Sequence, residues 1–254
     1  MLIIEFFVAF NEMNALNSNL NEISALNPWS ERMLSLIDLI KLDTLPLDLA
    51  AYLMNGIRKG ASVLVGARAG RAGKTTLIGA LLGIIPSSDR IITIENVAMV
   101  KGLKPGTRKN PKTYVIHEIS NHGPRHGPYL WGSAVAEVAR LVGPHTRLLS
   151  CLHADNIAGV KATFRRCGAE EAMYVFDFII FIQYLRHDAI RVVNEVWKFS
   201  STKKSFKRSF SKTGGLVDKN EKELVKWEKF LTYCLKQDIL AIDEVAYALR
   251  EYAG

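Results

Sequence analysis

Apolar residues fall along this chain in two rhythms that alternate. Short runs rich in β-branched residues, at Ser62–Val65, Asp89–Asn96, Thr113–Ile116 and Arg147–Leu152, predict buried strands. Val175–Ile182 and Ile190–Phe199 are longer and predict two paired strands of the same sheet. Between them lie helical spacings. Ser30–Ile40 carries Met33, Leu34, Leu36, Ile37, Leu39 and Ile40, and Pro46–Arg58 sets Leu49, Ala50, Leu53 and Ile57 on one face. Thr75–Leu82 and Trp131–Val142 predict two more helices, and Asn11–Asn27 is helical in part before Pro28 and Trp29. The basic stretch Lys101–Lys112, with two Gly and two Pro, predicts a loop, as does Asn121–Pro128. Met1–Phe10, apolar except for Glu5, is too short to span a bilayer and lacks the basic start of a signal peptide. It predicts a first strand or a hydrophobic element docked on a partner. No transmembrane helix is predicted elsewhere.

Strands alternating with helices predict an α/β fold with a mainly parallel sheet flanked by helices. The basic, Ser-rich segment 200–220 predicts a flexible linker, and Glu221–Gln237 with Asp243–Tyr252 a small C-terminal helical cap. The expected organisation is a short N-terminal segment (1–45), a motor-sized domain (46–199), the linker (200–220) and the cap (221–254).

One stretch carries chemistry in its required setting. In ASVLVGARAGRAGKTTLIG (61–79) a strand runs into a glycine-containing loop, then Gly73-Lys74-Thr75-Thr76, then a helix. Loop and helix N–H groups can converge on phosphates, Lys74 can reach the β/γ-phosphates, and the Thr75 hydroxyl can ligate Mg²⁺. Gly70, Gly73, Lys74, Thr75 and Thr76 are therefore the expected nucleotide-binding residues. The pattern asks for glycine five residues before Gly73, and Arg68 stands there.

In parallel sheets ligands bind at the carboxyl ends of the strands. Besides the phosphate loop, Glu95, Glu118 and His153 each follow an apolar strand. Glu118 could polarise the attacking water or hold a Mg²⁺-bound water; the alternative is a surface carboxylate closing a strand. Glu95 could orient water or Mg²⁺ ligands, or simply end its strand. His153 could sense the γ-phosphate or serve as a structural hydrogen-bonding residue. His117, His122, His126 and His145 are expected in loops, with no metal-ligand spacing.

Composition refines this modestly. With 48% apolar residues in 254, the chain can bury a full core. A formal net charge of +8 permits contact with nucleic acid or an anionic membrane surface. Cys151, Cys167 and Cys234 have no metal spacing and suit buried, reduced thiols.

Four segments in order resemble the type II/type IV secretion NTPases, particularly their archaeal pilus, archaellum and secretion branch. NGIRKGASVLVGARAGRAGKTTLIGALLGIIPSSDRIITIEN is similar to that family's Walker A and Asp box, and TYVIHEIS to its Walker B. LLSCLHADN is similar to its His box, and ILAIDEVAYALREY to the tail of archaeal members. The resemblance implies a RecA-like P-loop domain, a homo-oligomeric, hexameric ring, and hydrolysis of ATP with Mg²⁺. It implies a cytoplasmic protein, peripheral at the inner face of the membrane, working with a membrane-embedded secretion or pilus-assembly partner. By position it makes Glu118, Glu95 and His153 catalytic, and Thr75 and Glu118 metal-binding. Asn96 replaces the Asp-box aspartate, Ser120 the Walker-B arginine and His117 its glycine, and only residues 1–45 precede the motor domain. No arginine equivalent to those of the family's N-terminal domain can be named from the sequence. Two alternatives keep the fold: a nucleic-acid translocating or packaging ATPase, and a nucleotide-binding paralogue with little or no hydrolysis.

Overall fold

The structure is a computed structural model. It describes residues 2–27, 31–120, 129–185, 190–217 and 222–253, with side chains described from residue 13 to 252 within them. The loop expected over 121–128, with His122 and His126, lies outside the described residues.

The described strands form one nine-stranded sheet. They are β1 (Val63–Gly66), β2 (Arg90–Ile94), β3 (Lys112–Ile119), β4 (Tyr129–Leu130), β5 (Thr146–Leu152), β6 (Phe178–Leu185), β7 (Ile190–Ser200), β8 (Ser205–Ser211) and β9 (Gly215–Leu216). Their order is β2-β3-β5-β1-β6-β7-β8-β9, with β4 paired to β3. From β2 to β6, and at β4, every pairing is parallel; from β6 to β9 every pairing is antiparallel. The sheet is thus mixed. Its parallel part carries the predicted motifs.

The described helices are α1 (Leu2–Ala25), α2 (Leu36–Lys41), α3 (Leu47–Arg58), α4 (Lys74–Leu82), α5 (Val97–Val100), α6 (Ser133–Ala139), α7 (Ile157–Arg166), α8 (Lys222–Lys236) and α9 (Ile242–Ala253). Two cores cover the two faces of the sheet. One joins Val63, Val65, Val115, Leu149 and Cys151 to α1–α4, α8 and α9. The other joins Leu64, Tyr114, Ile116, Leu148 and Leu152 to α5–α7. The alternation of Val63, Leu64 and Val65 between cores is the period-2 pleat of a strand buried on both sides.

Three sequence expectations are corrected. Residues 2–10 are helix, not strand: α1 runs on to Ala25 with no Gly or Pro to stop it, and a continuous apolar run has no period that separates the two states. The 30–40 helix is shorter, because Ser35 caps it in a box with Asp38, each side chain bonding the other's backbone. The segment 200–220 holds β8 and β9 rather than a linker. Its lysines hide a strand whose Ser209 and Phe210 are buried and whose Phe206 packs with Tyr174 and Phe199.

The C-terminal helices also belong to the main core. Leu224, Trp227, Phe230 and Leu231 of α8 are buried, and Trp227 donates from Nε1 to Asn55 on α3. The edge strand β2 is covered by α1: Asn19 accepts from the Ile91 N–H and donates to the Asp89 carbonyl, standing in for a neighbouring strand.

Candidate phosphate-binding site at the carboxyl edge of the parallel strands

The parallel strands β1, β2, β3 and β5 end at one edge, and the chemistry-bearing residues gather there. After β1 the loop climbs through Arg68, Gly70 and Arg71 to Gly73, the residue before α4. Gly73 takes φ +93°, a conformation that strains any residue with a Cβ, and Arg71 takes φ +58° without being glycine. The Gly73 reversal leads the chain into α4, whose first-turn N–H groups have no partner within the helix and point back toward the loop. Lys74 is buried, while Thr75 and Thr76 are half-buried in the same first turn.

β5 lies between β1 and β3, so the residue following it reaches both neighbours. Gly66 pairs in register with Leu152, and a Cβ on Gly66 would stand 2.5 Å from the Ala154 carbonyl oxygen. Glycine there lets the 153–155 turn press against the root of the phosphate loop. His153 bonds the Arg68 carbonyl through Nδ1 at 3.3 Å, and its Nε2 lies 3.2 Å from Glu118. The imidazole is therefore a strut between the phosphate loop and the Glu118 carboxylate.

Glu118 reaches this place because β3 is irregular. Ile116 pairs with Ser150 but Ile119 pairs with Leu152, so β3 carries one extra residue against β5. Ile116 and Ile119 consequently share one core. Strict alternation from Ile116 would turn Glu118 toward that same core; the bulge turns it to the face that carries α4. The Glu118 side chain is only 13% exposed.

Electrostatics follow from this packing. The hydrogen bond to Glu118 holds the His153 imidazole above the ordinary histidine range, against the opposing effects of partial burial and of Lys74. Beneath them the wholly buried Cys151 thiol is pushed up to about 12, chiefly by burial, with Glu118 adding and Lys74 opposing. It stays protonated at neutral pH and is not a nucleophile. Because folding raises the His153 pKa, the pair stabilises the fold fully below about pH 6.5, the unfolded value. That contribution is lost as pH rises through the higher folded value. The melting temperature of wild type over His153→Gln is accordingly expected to be greatest near pH 5.5 and to shrink steadily by pH 8.5. A gap that is constant with pH would contradict the pairing.

Glu95 stands apart. It is exposed just past β2, which is three strands from β1, or about 14 Å at the usual strand spacing. Asn96 caps α5 by accepting from the Met99 N–H. His117 belongs to β3 rather than a loop, and its Nε2 meets the Leu26 carbonyl of α1 at 3.0 Å. His145 is exposed in the loop before β5, as expected.

Comparison with known proteins adds the following. No model of a known protein family matches the chain. No curated protein matches it either. Among solved structures it is similar to the VirB11 ATPase from the Brucella suis type IV secretion system, in complex with sulphate. There the identity is 20% and the TM-score 0.44, over 64% of this chain and 54% of that one. It is similar to the ATPase DotB of Legionella pneumophila at 12% identity and a TM-score of 0.49, over 82% of this chain and 59% of that one. For DotB of Yersinia pseudotuberculosis the figures are 12% and 0.41, over 84% and 62%. The chain thus spans less than two thirds of the length of each.

Sequence reasoning missed one side chain at this edge. Arg191, near the start of β7, donates from Nε to the Arg71 carbonyl at 3.1 Å. Its Cδ lies 3.1 Å from where a Cβ on Gly73 would stand. Only the antiparallel return of β7 along β6 brings it here, and nothing local to residue 191 signals it. A separate hollow of about 480 Å³, against Asp43, Thr44 and Lys212, touches no residue of the phosphate loop.

Among the described residues, no three His, Cys, Asp or Glu side chains cluster to hold a metal. A Mg²⁺ ion that takes most of its ligands from phosphate and water needs less than that. Thr75, in the first turn of α4, and Glu118, near the end of β3, are oxygen donors of the right chemistry.

Proposed function

We propose that this chain binds a nucleoside triphosphate, ATP, on the loop 66–76 and hydrolyses it. The observation that carries the reading is the convergence of three separate segments at one strand edge. Gly73–Thr76 supplies the cradle, Glu118 a shielded carboxylate, and His153 the strut between them. Lys74 neutralises charge on the β- and γ-phosphates, and the amides of the first turn of α4 hold the rest of the chain of phosphates. Glu118 orients and deprotonates the attacking water. His153 fixes the carboxylate relative to the loop. Thr75 and Glu118 would hold Mg²⁺, which supplies charge neutralisation between the phosphates. Glu95 lies outside this group and is assigned an outer position, acting through water.

The strand order supports the same reading. Placing β5 between the loop strand and the Glu118 strand sets those strands two spacings, about 10 Å, apart, a span that suits a γ-phosphate and a water. Together with the four ordered motifs resembling the secretion NTPases, this favours a RecA-like motor working as a homo-oligomeric ring. Its membrane-embedded partner would be a secretion or pilus-assembly component. Among the described residues no helix is long and apolar enough to cross a membrane.

The test is calorimetric titration with MgATP. Wild type is expected to bind, and Lys74→Ala to lose at least tenfold in affinity, as for a charge-assisted contact. Equal affinity of the two would remove the loop from the site.

A further inference from the structure

The phosphate loop has a cation that its own segment does not contain. Arg191 stands on β7, directly across from Tyr184 on β6, and its guanidinium lies over the Tyr184 ring at 5.0 Å. Its stem packs beside Gly73, and its Nε is held by the Arg71 carbonyl. Two contacts thus fix the side chain along its length, one to an aromatic face and one to the loop backbone. Among the described residues, no hydrogen bond or ion pair is made by its two terminal nitrogens. A guanidinium anchored through Nε still presents an Nη pair able to bind phosphate oxygens. Anchoring before ligand arrives also lowers the entropy lost on binding.

We infer that Arg191 is a phosphate-binding residue of the same subunit, contacting the terminal phosphates of a nucleoside di- or triphosphate held on the loop. The inference rests on the nucleotide-binding reading above. It gives physical meaning to the strained Arg71: its left-handed backbone presents the carbonyl that Arg191 grips. It also explains why Gly73 faces Arg191 with no side chain. The conformation strains a Cβ there, and a Cβ would also crowd the Arg191 stem at 3.1 Å.

Two substitutions separate phosphate contact from simple bracing of the loop. Arg191→Gln retains an N–H donor for the Arg71 carbonyl but has no charge. Arg191→Lys retains the charge. Binding is measured with fluorescent methylanthraniloyl-ATP and Mg²⁺, at low and high salt, after matching melting temperatures show that each variant is folded. Arg191→Gln is expected to bind at least tenfold more weakly with a shallower salt dependence, and Arg191→Lys, which keeps the charge but not the Nε anchor, to lose less affinity and to keep the salt dependence of wild type. Arg191→Gln binding as wild type does, or weakening with the salt dependence of wild type unchanged, would overturn the inference, since bracing alone would then suffice. Lys74→Ala runs alongside. If it weakens binding while Arg191→Gln does not, the nucleotide reading stands and the Arg191 assignment falls. If wild type itself does not bind the probe, both fall.

Discussion

Glu118→Gln is expected to cut MgATP turnover by about 10²–10⁴, the usual contribution of a positioned general base. Affinity for MgATP is expected to stay within about threefold, because glutamine keeps the shape and one oxygen donor toward Mg²⁺, which takes most of its ligands from phosphate and water, and the nucleotide is held by the loop and Lys74. The size of the effect follows from placement. The bulge in β3 turns Glu118 to the α4 face, and His153 holds it there at 3.2 Å. Single-turnover hydrolysis measured beside equilibrium binding separates the two quantities. Turnover unchanged by the substitution would remove Glu118 from the chemistry and leave its pairing with His153 as a purely structural contact.

The largest effect on stability is expected at the opposite edge of the sheet. Arg147 and Asp89 form an ion pair at 2.7 Å with both side chains almost wholly buried. Arg147 also bonds the Ile57 carbonyl, and Asp89 accepts from Thr113. Burial holds the Arg147 pKa below its ordinary value despite the attraction of Asp89. The pair therefore depends on its partners being complete. Arg147→Met keeps most of the volume but leaves a buried carboxylate unpaired, at a cost of about 3–5 kcal/mol. The double change Arg147→Met with Asp89→Asn is expected to recover part of that loss. Urea unfolding with a common slope measures both. A loss below about 1 kcal/mol for the single change would contradict the buried pair.

The parallel half of the fold was legible because its strands are buried on both faces and read as short β-branched runs between helices. Val63–Gly66, Arg90–Ile94 and Thr146–Leu152 lie within two residues of their expected limits. The turn from β1 through a glycine-containing loop into α4 was legible because its signals, a short apolar run, glycines and a helical spacing, are local in sequence. What was not legible is non-local. The helix over residues 2–10 is hidden by an apolar run without a period. The strand at 205–211 is hidden by Lys207 and Arg208, consecutive exposed cations that break the apolar alternation. The bulge that aims Glu118 is a register shift between β3 and β5, and no single-strand pattern encodes it. Arg191 meets the loop only through the pairing of β6 with β7.

Steady-state MgATP hydrolysis by the purified protein, beside Lys74→Ala, tests the central assignment most directly. Phosphate release that is present in wild type and lost in Lys74→Ala is the predicted result. ATP bound through Lys74 with no release of phosphate would contradict hydrolysis and leave a nucleotide-binding protein that does not turn over.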